Sequence, residues 1–498
     1  MSSFVIFSGD KEIENTTLKL GEYSVGFRSV TLLDYSRTFR ARKNYKGERI
    51  PGETARPIQV NIWYPARKSS QAPMRVLDYV HLMGGLTHQQ PLSEEDKANA
   101  LRTYKWGLKR LKVDREITDN LVNEVLATKR NAVWNAQALE GPFPVVMGAG
   151  AFQAHANALF CEFLASRGFV VAAPADLGKH GIRTDRDVIH AEIMARDREF
   201  AMAWLRDFPH ADFEHVAFMD FNFGAAASYL SAMRNMQVDA LISMAGWNGT
   251  RQGVTLLEES PWFAPYNLRM PILHMVGDQY EKYHESSLLD RARYADRFIL
   301  NIDEFNNTSF LSSNALLWET SKQKKEKFEL ACVYAYHFLR AHLKDDKKSK
   351  SFFQKHPTKL CNVGKSFHMR LLQAHPAPPT ESEFLAILEK KNGLDEGMAL
   401  FQMAWQREPG RPVFSERQVN RFGYMLLRSK RVGDAIDIFS WNKLAYPDSF
   451  NVYDSLAEAF MMEGSNEKAI RYYNKSLELN PENMNAIAML KKLGAPVN

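Results

Sequence analysis

The chain has 498 residues, 45% of them hydrophobic and 24% charged. That is an ordinary globular balance, and it excludes a disordered, collagen-like or coiled-coil chain. At about 100–200 residues per domain, the length implies two to four domains. The formal net charge of +6 is a small surplus spread along the chain, which argues against a dedicated nucleic-acid binder.

Cys161, Cys332 and Cys361 are far apart and odd in number, so they offer neither a disulfide framework nor a zinc spacing. No other metal or cofactor spacing stands out, and none is expected. No apolar run reaches the roughly 18 residues of a membrane span. The opening MSSFVIFSGD lacks a basic n-region. Its FVIF would suit the tail of a signal begun upstream; the protein is then exported or periplasmic, and otherwise cytoplasmic.

In chain order, residues 23–33 and 58–65 alternate as strands, with a polar, basic loop over 40–56. From about 74 to 138 the pattern is helical, with interleaved charges. Residues 143–147 are a short apolar strand ending in Gly148-Ala149-Gly150. Helix 156–167, strand 169–174, amphipathic helix 185–208, strand 215–221, helix 224–234 and strands 238–244, 271–277 and 297–302 follow. Buried strands alternating with helices predict a mostly parallel sheet covered on both faces. A charge run at 344–350 and the proline-rich stretch 374–379 mark a boundary. The expected organisation is an α/β domain over 1–345 with a helical insertion at 74–138, a linker over 346–380, and an all-α domain over 381–498.

The last domain repeats. Pro481 follows Pro447, Ala469 follows Ala435 and Tyr473 follows Phe439, each by 34 residues. That period belongs to the tetratricopeptide repeat. Units are expected over 416–449 and 450–483. A degenerate unit over 378–411 (Gly397, Phe401, Ala404) precedes them, and a cap helix over 484–494 follows. Small residues (Gly423, Ala435, Ala457, Ala469) fall where paired helices touch. Large ones (Val419, Phe422, Leu426, Phe439, Tyr453, Leu456, Phe460, Tyr473) fill the gaps. Such an array offers a groove for a protein or peptide partner.

Five stretches together resemble the α/β-hydrolase superfamily, in particular the dienelactone hydrolases and the platelet-activating-factor acetylhydrolase type of esterase. GEYSVGF (21–27) with DYSR (34–37) and VNIWYP (60–65) is similar to the N-terminal strands. PFPVVMGAG (142–150) is similar to the strand and oxyanion loop, and FLASRGFVVAAP (163–174) to the next helix and strand. VAFMDFNFGAAAS (216–228) is similar to the strand, elbow and helix of the nucleophile, and PILHMVGD (271–278) to the strand carrying the acid. Some members of this bacterial family also carry C-terminal tetratricopeptide repeats.

The resemblance implies a Gly-x-Ser-x-Gly elbow at a strand-to-helix turn. Here the run is Asp220-Phe-Asn222-Phe-Gly224, and a carboxamide has no ionisable oxygen with which to attack an acyl group. The acid position reads Tyr280, with Asp278 two residues early. The base position, in a His-x-x-Phe run, reads Asn307-Thr-Ser-Phe310, and no histidine lies between His284 and His337. The expectation is a pseudoenzyme that acts as a scaffold through its repeats. The alternatives are a serine hydrolase with displaced catalytic residues and a small-molecule sensor using the old pocket. Asn222 suits an elbow at positive φ, whereas Asp220, in place of a glycine, is expected to push the turn open. Ser228 and Ser243 read as core residues, as does His274. His155 and His180 lie on loops at the C-terminal strand edge, where α/β sheets bind ligands; His190 carries no assigned role.

Overall fold

Apolar side chains on both faces of a strand drive it to the middle of a covered sheet. That is the state of most strands in the computed structural model. It describes residues 18–496 apart from 88–90, 110–115, 149–153, 183, 209, 236, 247–249, 278–286, 318–321, 354–361, 378, 380, 391 and 408–413. The described chain forms two compact units, Met1–His375 and Pro376–Asn498.

In the first unit β1 (Ser24–Thr38) and β2 (Ala55–Ala66) are followed by three helices, α1 (Val76–His81), α2 (Glu94–Leu108) and α3 (Asp119–Ala127). Then come β3 (Ala132–Trp134), β4 (Phe143–Met147), α4 (Ala154–Ala165), β5 (Val170–Pro174), α5 (Val188–Leu205), β6 (Ala211–Phe221), α6 (Gly224–Arg234), β7 (Ala240–Met244) and α7 (Arg251–Glu258). The unit ends with β8 (Ile272–Gly277), α8 (Leu288–Arg291), β9 (Arg297–Ile302), α9 (Ser312–Leu317), α10 (Lys322–Leu343), α11 (Lys347–Phe352) and β10 (Phe367–Leu372).

Among the described residues the sheet has ten strands in the order β10-β9-β8-β7-β6-β4-β5-β2-β1-β3. From β5 through β9 every neighbouring pair is parallel, while β2 runs antiparallel to both β1 and β5. One face is packed by α4 and α10 (Leu159, Phe163, Phe338 and Leu339 over Val146, Met219, Ile242 and Leu300). The other is packed by α5 and α6 (Ala195, Met202, Tyr229 and Leu230 over Val145, Phe218, Leu241 and Ile272).

The helical insertion is tied to the core by a buried polar chain. Trp63 Nε1 donates to the Tyr79 hydroxyl (3.0 Å), which donates to Glu162 Oε1 (2.9 Å). The other carboxylate oxygen accepts from Arg130 Nη2 (3.0 Å) and the Asn131 amide (3.1 Å). A carboxylate removed from water needs this much compensation.

Two expectations are corrected at the sheet edges. Within the segment expected to be all helical, Ala132–Trp134 pairs parallel with β1. Within the expected linker over 346–380, Lys347–Phe352 is a helix capped by Asp346, and Phe367–Leu372 extends the sheet antiparallel to β9. Ala132–Trp134 is too short to show a pattern and is placed by an open edge, whereas Phe367-His-Met-Arg-Leu371 does alternate and lies inside the segment expected to be linker.

The second unit is helical: α12 (Glu381–Leu388), α13 (Gly393–Arg407), α14 (Glu416–Arg428), α15 (Val432–Ala445), α16 (Phe450–Glu463), α17 (Asn466–Leu479) and α18 (Met484–Lys492). Ser415 and Gln418 form a capping box on α14, and Gly464, at φ +90°, ends α16. The start of α16 follows that of α14 by 34 residues, as α17 follows α15. A Cβ on Gly423 would lie 2.4 Å from the Phe439 ring, so this crossing needs a residue without a side chain. At the matching crossing Ala457 and Tyr473 are fully buried.

Candidate active-site elbow

The central strand β6 ends at Phe221, and α6 begins three residues later. Asn222, between them, stands at φ +51°. Its N–H donates to the Met244 carbonyl (2.9 Å), and its own carbonyl accepts from Ala225 (3.2 Å). L-residues avoid this region, and asparagine tolerates it better than most. The sharp strand-to-helix turn is therefore present with a carboxamide at its apex. That side chain is buried, and its Oδ1 has no hydrogen-bond partner among the described residues.

Asp220 does not push the turn open. Its side chain points away from the apex to the α5–α6 face and is fully buried. Oδ1 accepts from Arg198 Nη2 (2.8 Å), and Oδ2 accepts from the Ser228 hydroxyl. Two glycines leave it room. A Cβ on Gly148 would lie 2.7 Å from Asp220 Oδ2 and 2.8 Å from Arg198 Nε, and one on Gly224 would lie 3.0 Å from Asp220 Oδ1. Burial pushes the Asp220 carboxyl up to about 7, against the opposing pull of Arg198 and Ser228. Desolvation outweighs the partner because a single cation supplies a single hydrogen bond.

The hydroxyls and imidazole nearest the elbow in the sheet are enclosed. Asp220 is in register with Ser243, and Ser243 with His274. Ser243 Oγ and His274 Nδ1 are 3.2 Å apart, and both residues are fully buried. Ser228 lies within α6 with its hydroxyl on Asp220. None of these oxygens stands at the strand ends.

The oxyanion-loop position Gly148 has φ +81°, and its N–H is held by the Ala172 carbonyl (2.8 Å). Ala149 and Gly150 lie outside the described residues, as do the acid-position candidates Asp278 and Tyr280. Asn307, at the base position, opens a one-turn 3-10 helix just after β9, capped by Asn306.

The histidines divide by environment. His155, in the first turn of α4, sets its ring edge-on to Tyr104 at 5.0 Å. Burial lowers it to about 4, so it is neutral at pH 7. His180 is exposed, with Nδ1 3.1 Å from the Phe39 carbonyl. His190 has the closest link to the elbow, and its sequence context carried no such signal. Its Nε2 is 2.9 Å from Asp176 Oδ1, and its ring stacks on Phe223, the residue after Asn222. Arg198 was likewise invisible in sequence, being one charged residue among several in an amphipathic helix.

Among the described residues no group of three or more His, Cys, Asp or Glu could hold a metal ion, and no helix is long and apolar enough to cross a membrane. Cys161 and Cys332 are buried free thiols.

A mostly parallel, doubly covered sheet whose central strand passes through a positive-φ residue into a helix defines an α/β-hydrolase fold. No family model and no curated protein matches the chain. Among solved structures it is similar to a ferulic acid esterase from Streptomyces cinnamoneus, at 15% identity and a TM-score of 0.48, over 72% of this chain and 99% of that one.

Proposed function

We propose that this protein is a non-catalytic member of the α/β-hydrolase fold class that acts as a binding or scaffold subunit, and that its C-terminal helices form a tetratricopeptide array presenting a groove to a protein or peptide partner. The observation that carries this reading is Asn222 at φ +51° on the strand-to-helix turn. The backbone that would expose a nucleophile is retained, and the side chain on it cannot act as one. Asn307 after β9 supports the reading, because an amide cannot shuttle a proton between hydroxyl and leaving group. The 34-residue recurrence of helix pairs supports the array.

The test is hydrolysis of short-chain nitrophenyl esters together with labelling by a fluorophosphonate probe. Neither turnover nor labelling is expected. Activity regained in the double variant Asn222→Ser/Asn307→His would show that the pocket survives. Turnover by the unaltered protein would instead support a serine hydrolase with displaced residues.

A second reading, a sensor of a small polar ligand, is favoured by enclosed polar atoms around the elbow and α4. Among the described residues His155 Nδ1, both amide atoms of Asn157 and Asn222 Oδ1 have no hydrogen-bond partner, and enclosed groups of this kind ordinarily find one. Under this reading a polar ligand raises the melting temperature of the first unit.

A further inference from the structure

The loop between β1 and β2 is an ordered hairpin. Phe39 donates to the Thr54 carbonyl (2.7 Å), Ile50 to Arg42 (2.9 Å), Asn44 to Glu48 (2.9 Å) and Gly47 to Asn44 (3.0 Å). Gly47, at φ +82°, closes the tip. The Asn44 side chain accepts from the Lys46 and Glu48 amides and donates to the Glu48 carboxylate at 2.7 Å. The base is fixed at the loop after β5: Phe39 packs with Leu86, Ala175 and Leu177, and Arg56 donates to the Leu177 and Gly178 carbonyls. Because β2 is antiparallel to β5, the hairpin rises from the sheet edge on which the elbow opens.

Arg40, Arg42, Lys43, Lys46 and Arg49 against Glu48 and Glu53 give this hairpin +3 beside the chain's formal +6. The charge is thus concentrated, not evenly spread. All five cations are exposed. No carboxylate among the described residues forms an ion pair with any of them, and Glu48 is engaged by Asn44. Lys43 and Arg49 face each other across the hairpin, an arrangement that weakens a strand pair and that an external anion would relieve. At the tip Tyr45 is 92% exposed, and Ile50, farther along the hairpin, is 41% exposed.

We propose that the hairpin over residues 39–54 docks this protein on an anionic lipid bilayer, with Tyr45 at headgroup level and the surrounding cations over anionic headgroups. A tyrosine ring suits that interface, and basic residues gain from a negatively charged leaflet. A convex projection with an aromatic tip fits a fluid plane without a preformed socket. Because the backbone is preorganised, little ordering cost remains at docking.

The test is co-sedimentation of the full chain with vesicles of phosphatidylcholine alone and of phosphatidylcholine mixed with phosphatidylserine. Binding is expected with the mixed vesicles only, falling as salt rises. The variants K43E/R49E and, separately, R40E/K46E are expected to weaken it about tenfold or more at unchanged melting temperature. Tyr45→Ser is expected to weaken it at constant charge. Absence of binding to the mixed vesicles, or binding untouched by both charge reversals, overturns the proposal. So does tighter binding to duplex DNA than to those vesicles at the same salt, which would make the hairpin a nucleic-acid arm.

Discussion

Arg198 Nη2 sits 2.8 Å from Asp220 Oδ1 beneath the elbow, with both side chains withdrawn from solvent. Arg198 follows Asp197, which accepts from Arg56 at 2.8 and 2.6 Å and pairs with Arg37 at 2.8 Å. Two successive residues of α5 thus hold the base of the β1–β2 hairpin on one side and the elbow on the other.

Removing the guanidinium leaves a buried acid without its cation. At pH 8, Arg198→Met is expected to cost about 3–5 kcal/mol in urea unfolding. At pH 5 the loss shrinks, because a buried carboxyl takes up a proton rather than stay charged. Equal losses at both pH values would contradict the ion pair.

The raised Asp220 value also sets a sign for pH. A carboxyl at about 7 in the folded chain and near 3.9 unfolded binds its proton more tightly when folded. Its contribution is fully present below the unfolded value and is lost as pH rises through about 7. Relative to Asp220→Asn, the unaltered protein should therefore lose stability between roughly pH 4 and pH 7. Parallel stability curves for the two proteins would refute the shift.

Asn222 predicts a ranking of substitutes. Glycine adopts φ +51° without strain, so Asn222→Gly should leave the melting temperature unchanged or raise it. Asn222→Val places a β-branched side chain in the left-handed region and should cost about 1–3 kcal/mol. A valine variant as stable as the parent would mean the turn is not held at positive φ.

Gly148→Ala should destabilise by about 1–3 kcal/mol, because its methyl group meets the Asp220–Arg198 pair and its backbone is left-handed. In an Asp220→Gly background the overlap with the carboxylate is relieved, while that with Arg198 Nε and the backbone cost remain, so the loss shrinks. A double-mutant cycle with no coupling would show that Gly148 does not sit over that carboxylate.

In the second unit, Gly423→Ala sets a helix-propensity gain of about 1 kcal/mol against overlap with the Phe439 ring. Net destabilisation is expected, relieved by Phe439→Leu. Urea unfolding followed by circular dichroism checks both steps.

The sequence by itself determined the alternating strands, the helices between them, the 34-residue recurrence and the loss of hydroxyl and imidazole at the elbow and after β9. Each is written in local spacing, which sets which face a side chain presents. Only the tertiary structure decided the fate of Asp220. The room for it comes from Gly148 and the charge from Arg198, and both reach it through packing of separate elements. The same holds for β3, placed by an open sheet edge rather than by its own pattern. The hairpin belongs here too: composition fixes a total of +6, but burial and pairing decide which cations stand unpaired in water.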